Sequence, residues 1–319
     1  MSPAPPRKSD PGRRTAKKSS PEYGLGSHSI ESGPLDIVKP QDLQQTLLQI
    51  FRAPSYRPPV LPSVALELTE LTRKTSVSYD EVVSVLQKDP LIVAGVLKVA
   101  QSPMYGGRLP VQSLKEAIQR LGINTLRDIV WQVVTGMRLF RVKGYTAIME
   151  RVQAHSLFTA YMARLVAARA GVAGEHAFLC GLLHDVGISG TLIALSEAEK
   201  QLPDVNDLLA AIDGMHDQAG SLMAKLWGLS AELAKVVQYH HQPSAEADRA
   251  PVLVAVLCVA EHFADVCGHG ILPPEALPGL DRYFEGRYEA ALARLRLTRK
   301  ESELGERARE IAARLSTGA

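Results

Sequence analysis

Apolar residues recur at the three- and four-residue spacing of amphipathic helices from about residue 41 to the C-terminus. A first helix is predicted over 41–51, and a short second helix over 64–71 follows a proline-rich interruption. No segment alternates strictly between apolar and polar residues for the length of a strand. The pattern therefore predicts an all-α fold without a β-sheet.

Capping residues mark several of the predicted helix starts. Ser78 precedes an acidic first turn, and Asp89 stands before Pro90, a residue that the first helical position tolerates. Asn124 is predicted to cap a strongly apolar helix over 126–140. These signals place most of the N-terminal half in short helices joined by turns.

Longer apolar helices are predicted in the second half of the chain, after the break "RVKGY". They cover 147–170, 174–187, 216–228, 230–243 and 250–268, and a charged amphipathic helix follows over 299–315. The second of them is expected to end at Gly187. We therefore expect a first helical subdomain over 41–145, a second over 146–270 and a C-terminal extension over 271–319.

Residues 1–40 form a separate compositional block, rich in Pro, Ser, Gly, Lys and Arg and nearly free of apolar periodicity. A segment of this kind buries too little apolar surface to offset the entropy of ordering it. We expect a disordered basic tail, either solvated or in weak electrostatic contact with nucleic acid or an anionic partner. The whole chain carries a net charge of only +2, which argues neither for a nucleic-acid-binding groove nor for an acidic partner.

Cysteine usage and hydropathy favour a cytoplasmic protein. The three cysteines, Cys180, Cys258 and Cys267, form no C-x-x-C pair, so neither a disulfide framework nor a thiolate zinc site is expected. No stretch reaches the roughly 20 consecutive apolar residues that a membrane span needs. The basic residues near the N-terminus have no apolar segment behind them, so no secretory signal is expected.

Histidines and acidic residues form an ordered series along the predicted second subdomain. The series comprises His155, the adjacent pair His184 and Asp185, His216, the adjacent pair His240 and His241, and Glu261. Imidazole nitrogens and carboxylate oxygens are ligand types that Zn, Mn and Fe accept. Two neighbouring metal ions need a bridging carboxylate, and Asp185 is the natural candidate. Asp265 lies one helical turn after Glu261 and is the alternative last ligand.

The series is more specific than any one of its members, because five of the chain's nine histidines belong to it. A lone His-Asp pair also fits a purely structural role, in which the histidine stabilises a helix C-terminus and the aspartate caps the next turn. Glu261 would be costly to bury in an apolar helix without a partner. A His or Arg could serve as that partner as well as a metal could.

The segment "GLLHDVG", together with His155 upstream, resembles the HD superfamily of metal-dependent phosphohydrolases. In the first half, "LPSVALELTEL", "LQKDPLIVAGVLKVAQSPMYG" and "SLKEAIQRLGINTLRDIV" resemble successive helices of the HDOD family, and "KVVQYHHQP" is similar to that family's late His-His segment. The resemblance extends over about 55–268. It implies an N-terminal helical bundle packed on an HD-like helical bundle, and a regulatory role in bacterial signalling, often without catalysis.

The related HD-GYP phosphodiesterases imply metal binding by the five histidines of the series and by Asp185. Their last ligand is an Asp in a segment that "VAEHF" matches, which makes Glu261 its counterpart and Asp265 the fallback. Those enzymes follow their His-Asp with Gly-Lys, whereas Ile188 stands at the lysine position here, and the GYP segment after the His-His pair is missing. The resemblance therefore implies a di-metal centre of Fe or Mn, with Zn less favoured, and argues against hydrolysis of cyclic di-GMP.

Three functions remain open from the sequence. We favour a regulatory HDOD protein that acts by binding a signalling partner or a ligand, with a vestigial or structural metal site or with no cofactor at all. The alternatives are a metal-dependent phosphohydrolase, in which Asp185 is the catalytic residue, and a nucleotide receptor that does not hydrolyse its ligand. The "GINTLRDIV" helix is too apolar to face DNA, so neither DNA binding nor a membrane span is expected.

Overall fold

Helices make up the regular structure of the residues described. The structure, a computed structural model, describes residues 40–317 except 75, 107–110, 112, 140, 143, 174–175, 199–207, 209–211, 213–214, 243–250 and 272–285. Over the described residues it contains α-helices and one 3-10 turn, Thr298–Lys300, but no strand. The predicted all-α fold is therefore confirmed.

The helices follow the predicted order along most of the chain. The first half contains α1 (Pro40–Arg52), α2 (Ser63–Thr72), α3 (Tyr79–Leu86), α4 (Pro90–Ala100), α5 (Leu114–Leu121) and α6 (Ile123–Arg138). The second half contains α7 (Thr146–Ala170), α8 (Ala177–Leu183), α9 (Val186–Ala198), α10 (His216–Leu226), α11 (Ala231–Tyr239) and α12 (Val252–Val266). The C-terminal part contains α13 (Arg287–Leu295), which the sequence analysis did not predict, and α14 (Glu301–Ser316).

Side-chain caps fix two of the predicted helix starts. The Ser78 hydroxyl accepts a hydrogen bond from the backbone N–H of Glu81, and the Glu81 carboxylate accepts one from the backbone N–H of Ser78. This complete capping box opens α3. The Asp89 carboxylate accepts bonds from the first backbone N–H groups of α4, in which Pro90 is the first residue. Both predictions are confirmed.

The prediction that Asn124 caps the following helix is wrong. Helix α6 already begins at Ile123, so Asn124 lies within its first turn. Gly122 ends α5 and starts α6 directly, with a φ of 78° that favours glycine. The chain therefore turns at a glycine, and no polar side chain caps α6.

A large hydrophobic core contains residues from both halves of the chain. Trp131 of α6, Phe158 of α7 and Phe178 of α8 are among its fully buried side chains. The indole N–H of Trp131 donates a hydrogen bond of 2.9 Å to the hydroxyl of Thr69 in α2, which satisfies a polar group in the core. The division of the chain into subdomains at residues 145 and 270 stays a prediction.

A smaller apolar cluster includes Leu47 of α1, Met149 of α7 and Leu192 of α9. Ile188, the residue at the lysine position of the HD-GYP enzymes, belongs to this cluster and is 8% exposed. The side chain at this position therefore packs against apolar neighbours.

The prediction that a helix ends at Gly187 is also wrong, because α9 begins at Val186 and continues through Gly187. A Cβ atom on Gly187 would lie 1.8 Å from the carbonyl oxygen of His216, and nothing that close can be accommodated. Gly187 is thus needed for the close approach of α9 and α10, and it does not end a helix. This approach brings the start of α10 against the start of α9.

The stretch Ala177–Ser196 is long and apolar enough to cross a membrane by length and composition alone. In this fold 94% of its most apolar 18-residue window is buried inside the protein, as is usual for core helices. The predicted disordered basic tail lies outside the described residues, apart from Pro40 at its end.

Candidate metal centre

Seven polar side chains from different helices meet in the interior of the second half. Helix α7 packs against α8 and α12, and α10 packs against α9 and α11. The seven are the predicted series, of which His155, His184, Asp185, His216, His240 and Glu261 are buried and His241 is half-buried. The structure therefore brings the whole series together, while its role as a set of metal ligands stays a prediction.

Helix ends supply most of these side chains. His184 and Asp185 form the junction between α8 and α9, and His216 is the first residue of α10. Helix α11 ends at Tyr239, so the adjacent His240 and His241 lie beyond its last turn. Their ring centroids are 3.9 Å apart. Neighbours within a regular helix point about 100° apart, and the end of α11 is what lets both rings reach one site.

The Asp185 carboxylate lies between two pairs of imidazoles. Its Oδ2 is 3.1 Å from Nε2 of His184 and 3.6 Å from Nε2 of His155. Its Oδ1 is 3.3 Å from Nε2 of His240 and 3.5 Å from Nε2 of His216. Each oxygen thus faces a different pair, which is the arrangement of a carboxylate that bridges two cations.

Four of the histidines are oriented by the protein backbone. In each of them Nδ1 lies within hydrogen-bond distance of a backbone carbonyl oxygen. The pairs are His155 with His269 at 3.0 Å, His184 with Gly181 at 2.8 Å, His216 with Ile212 at 3.2 Å, and His240 with Val237 at 2.6 Å. A carbonyl oxygen can only accept, so Nδ1 carries the proton. The Nε2 atoms then point into the interior, as in metal sites whose histidines are held by outer hydrogen bonds.

Charge in the cluster is concentrated on Asp185 and His184. Burial would raise the pKa of Asp185, but the positive charge of His184 and its hydrogen bond hold that pKa well below its usual range. Burial would lower the pKa of His184, but Asp185 and Glu261 outweigh it and raise the pKa to about 9. Burial, together with the charge on His184, lowers the pKa of His155 to about 4. A protonated, positively charged His184 therefore lies beside the Asp185 carboxylate, and a metal ion can displace its proton.

Glu261 of α12 offers a buried carboxylate oxygen to the same site. Its Oε1 lies 3.5 Å from Nε2 of His184 and accepts no hydrogen bond within the described part of the chain. Burial raises the pKa of Glu261 to about 8. Asp265, the fallback ligand, is exposed and lines a small cavity that Glu261 also lines. Glu261 is therefore better placed than Asp265 as a ligand.

The residues present fit a metal. Asp185, His216, His240 and His241 offer ligand atoms that all lie within 4.8 Å of one another, and so do His155, His184 and Asp185. The two groups share Asp185. An unsatisfied buried carboxylate oxygen on Glu261 adds the kind of donor that a cation would satisfy. The buried His/Asp cluster can thus hold metal.

His241 differs from the other four histidines because Arg287 contacts it. Nη1 of Arg287 lies 2.8 Å from Nδ1 of His241. An arginine N–H can only donate, so Nδ1 accepts, and the neutral ring carries its proton on Nε2. That Nε2 lies 2.9 Å from Nε2 of His216, to which it donates. His241 can bind a metal through Nε2 only after it gives up this proton.

Arg287 is the site residue that the sequence analysis missed. It is the first residue of α13, in the C-terminal part of the chain. The segment "RYEAALARL" has amphipathic spacing, which could have predicted the helix. Its contact with His241 depends on how α13 packs against α12, and a sequence pattern does not contain that information.

Comparison with known proteins agrees with the fold. The HDOD domain family model matches residues 59–243. A protein of Treponema pallidum (strain Nichols), described as uncharacterized, is 26% identical over 234 residues, which are 69% of this chain and 44% of that protein. The chain therefore spans less than half the length of this relative.

Two solved structures have the same fold. An HDOD domain protein with unknown function from Geobacter sulfurreducens has a TM-score of 0.60 and 22% identity, covering 85% of this chain and 99% of that one. A proposed metal-dependent phosphohydrolase from Shewanella amazonensis SB2B has a TM-score of 0.59 and 21% identity, covering 80% of this chain and 99% of that one. At such identities the likeness shows the fold alone. Because the family model matches more than half of the chain, the protein belongs to the HDOD family.

Proposed function

We propose that this HDOD protein is a regulatory module whose interior binds two metal ions bridged by Asp185. The proposed ligands are His155, His184, Asp185 and Glu261 for one ion, and Asp185, His216, His240 and His241 for the other. The observation that carries the proposal is the placement of Asp185, whose two carboxylate oxygens face two different pairs of imidazoles. The metal centre would hold a ligand, and the helical fold would pass its presence to a signalling partner.

The donor set favours Fe or Mn over Zn. Imidazoles suit Fe and Zn, carboxylates suit Mn, and the proposed set contains no thiolate of the kind that structural zinc sites use. When bound, such a pair of ions would polarise a phosphate group and lower the pKa of a bound water. The free cysteines fit a reducing cytoplasm, which we propose as the location.

Regulation is favoured over hydrolysis of cyclic di-GMP by the residues around the site. Ile188 occupies the position of the lysine that follows the His-Asp pair in HD-GYP enzymes, and it packs in an apolar cluster. The GYP segment has no counterpart after His241. This chain therefore lacks two elements of that chemistry while it keeps the residues proposed to bind metal.

A metal-dependent phosphohydrolase is the second candidate. It is favoured by the small cavity beside Glu261, which places a carboxyl group and the Arg287 guanidinium next to the proposed metals. In this case Asp185 would be the catalytic residue, because it would position the metals that polarise the phosphate group. The Shewanella amazonensis protein of the same fold is described as a proposed metal-dependent phosphohydrolase, which supports the candidate.

Metal analysis tests the proposal. The protein would be purified anaerobically with Mn or Fe supplementation, and its metal content compared with that of Asp185→Asn and of Asp80→Asn. Asp80 is exposed on α3 and serves as a control for the same chemical change. We expect two ions per wild-type chain, fewer in the Asp185 variant and two in the control. Wild-type protein without metal would contradict the proposal.

Turnover and binding assays separate the candidate functions. Metal-loaded protein would be incubated with phosphomonoesters, phosphodiesters and cyclic dinucleotides. Turnover that the Asp185→Asn change abolishes would establish the phosphohydrolase and overturn the purely regulatory function. Calorimetry with the same compounds tests the nucleotide receptor, which would bind one of them without hydrolysis.

A further inference from the structure

Arg287 brings a positive charge to the edge of the proposed metal centre. Its Nη1 donates to Nδ1 of His241 at 2.8 Å, and its charge also acts on Cys258 and Glu261. The residue lies outside the segment that the HDOD family model matches, 59–243. The charge thus comes from the C-terminal part of this chain and not from the matched domain.

Tyr288 fixes the start of α13, and therefore the position of Arg287. The Tyr288 ring is buried and stacks on the His262 ring with a centroid distance of 3.7 Å. Its hydroxyl donates a hydrogen bond of 2.9 Å to the Glu301 carboxylate. Helix α13 also packs along α12, the helix that carries Glu261. The Arg287 backbone is therefore held by contacts that do not involve the metal centre.

A small cavity lies between Arg287 and Glu261. Its remaining lining residues are Cys258, His262, Asp265 and Tyr288, and its volume is about 40 Å³. One water needs roughly 10–15 Å³ by this measure, so a few water-sized groups fit. That is the scale of a single phosphate group and is too small for a nucleoside. The Glu261 oxygen Oε1, which is buried and accepts no hydrogen bond among the described residues, belongs to the same site.

We infer that Arg287 is an anion-binding residue, and that it would hold a phosphate group in this cavity against the metal centre. The inference rests on the proposed function, because the cavity also contains the carboxyl groups of Glu261 and Asp265. Asp265, and Glu261 once a metal has displaced its proton, would repel an anion unless the metal ions offset their charge. A guanidinium binds two phosphate oxygens at once in a planar geometry that lysine does not reproduce. Arg287 thereby supplies a positive charge near the site, which Ile188, at the lysine position of the HD-GYP enzymes, does not.

Calorimetry with inorganic phosphate tests the inference on the full chain. Wild-type protein, Arg287→Gln, Arg287→Lys and the control Arg299→Gln would each be loaded with Mn, freed of excess metal and analysed for metal content. Arg299 is exposed in the same C-terminal part, so its substitution removes the same charge away from the site. A parallel arm with adenosine monophosphate distinguishes a phosphomonoester ligand from free phosphate.

We expect phosphate to bind the metal-loaded wild type and the Arg299 variant equally, and the metal-free protein not at all. Loss of a charge-assisted hydrogen bond should weaken binding to Arg287→Gln about 10- to 100-fold, with Arg287→Lys between the two. Metal content should be the same in all four. Equal phosphate affinity in wild type and Arg287→Gln, or a loss of metal from Arg287→Gln, would overturn the inference. Wild-type protein that binds metal but no phosphate would also overturn it and leave the proposed function standing, whereas absence of metal would overturn both.

Discussion

Gly187 and His216 are in backbone contact, and this contact determines how closely the His216 side of the proposed ligand set approaches Asp185. A Cβ atom on Gly187 would lie 1.8 Å from the carbonyl oxygen of His216 and 2.7 Å from the backbone nitrogen of Gly220. Gly187 follows Asp185 by two residues, and His216 opens α10. A side chain at position 187 would therefore push His216 away from Asp185.

Replacing Gly187 with alanine should separate α9 from α10. Since backbone atoms cannot give way as a flexible side chain can, we expect a loss of about 3 kcal/mol or more in the free energy of unfolding. Urea denaturation measures this change in the free energy of unfolding. Gly305→Ala is the matched control, because Gly305 also lies within a helix but its Cβ would meet the Phe263 ring at an ordinary 3.6 Å. That control should be about 0.5–1 kcal/mol more stable than wild type, and an equal response of both variants would contradict the account.

Asp128 should make stability depend on pH. Burial raises its pKa to about 6, although Arg127 and Arg164 lie 3.3 and 3.4 Å away and partly offset this effect. A carboxyl whose pKa is higher in the folded state than in the unfolded state stabilises the fold at low pH. This contribution is complete below pH 3.8 and is lost as the pH rises through about 6.

The variant Asp128→Asn isolates this contribution from that of other groups. The stability of wild type minus that of the variant should fall by about 2.5 kcal/mol between pH 4 and pH 7. Denaturant melts at several pH values measure the difference. A difference that stays constant or rises with pH would contradict the assignment.

The hydrogen bond between Trp131 and Thr69 should contribute measurably to the core. Replacing Thr69 with valine keeps the shape of the side chain but leaves the buried indole N–H without its acceptor. We expect a loss of about 1–3 kcal/mol in the free energy of unfolding. Thr72→Val is the control, because the half-buried Thr72 hydroxyl donates a hydrogen bond to the backbone carbonyl oxygen of Thr69. A loss in the control as large as that in Thr69→Val would count against the specific role of the Trp131 bond.

Glu261 and Asp265 can be distinguished as ligands by paired substitutions. Burial raises the pKa of Glu261 to about 8, so its carboxyl is protonated at pH 7 in metal-free protein, and Glu261→Gln, which replaces one neutral group with another of similar size, should change the free energy of unfolding little. The same variant should lose at least about 10-fold in Mn affinity, whereas Asp265→Asn should keep wild-type affinity. Metal titration measures the Mn affinity of both variants. The reverse result would assign the last ligand to Asp265.

The sequence was sufficient to predict the helical fold and the residues that meet in its interior. Amphipathic spacing and the caps at Ser78 and Asp89 are local signals, and the structure confirms them. The histidine series could be found because five of the nine histidines fall into one ordered series, and because that series resembles the ligand pattern of the HD superfamily.

The sequence was not sufficient where a tertiary contact decides the outcome. The sequence around Gly187 looks the same whether the glycine ends a helix or allows a neighbouring helix to pack closely. Only the position of α10 distinguishes these two cases. Asn124 was a plausible cap, but the glycine before it already turns the chain. Arg287 reaches His241 from a helix far along the chain, so no local pattern predicts their contact.

Electron paramagnetic resonance of the Mn-loaded protein tests the central claim most directly, because a carboxylate that bridges two Mn(II) ions couples their spins. We predict the spectrum of a coupled pair for the wild type and for Asp80→Asn, and the spectrum of isolated Mn(II), or no bound Mn, for Asp185→Asn. A wild-type protein that binds no Mn, or a coupled spectrum that survives the Asp185→Asn substitution, would contradict the account.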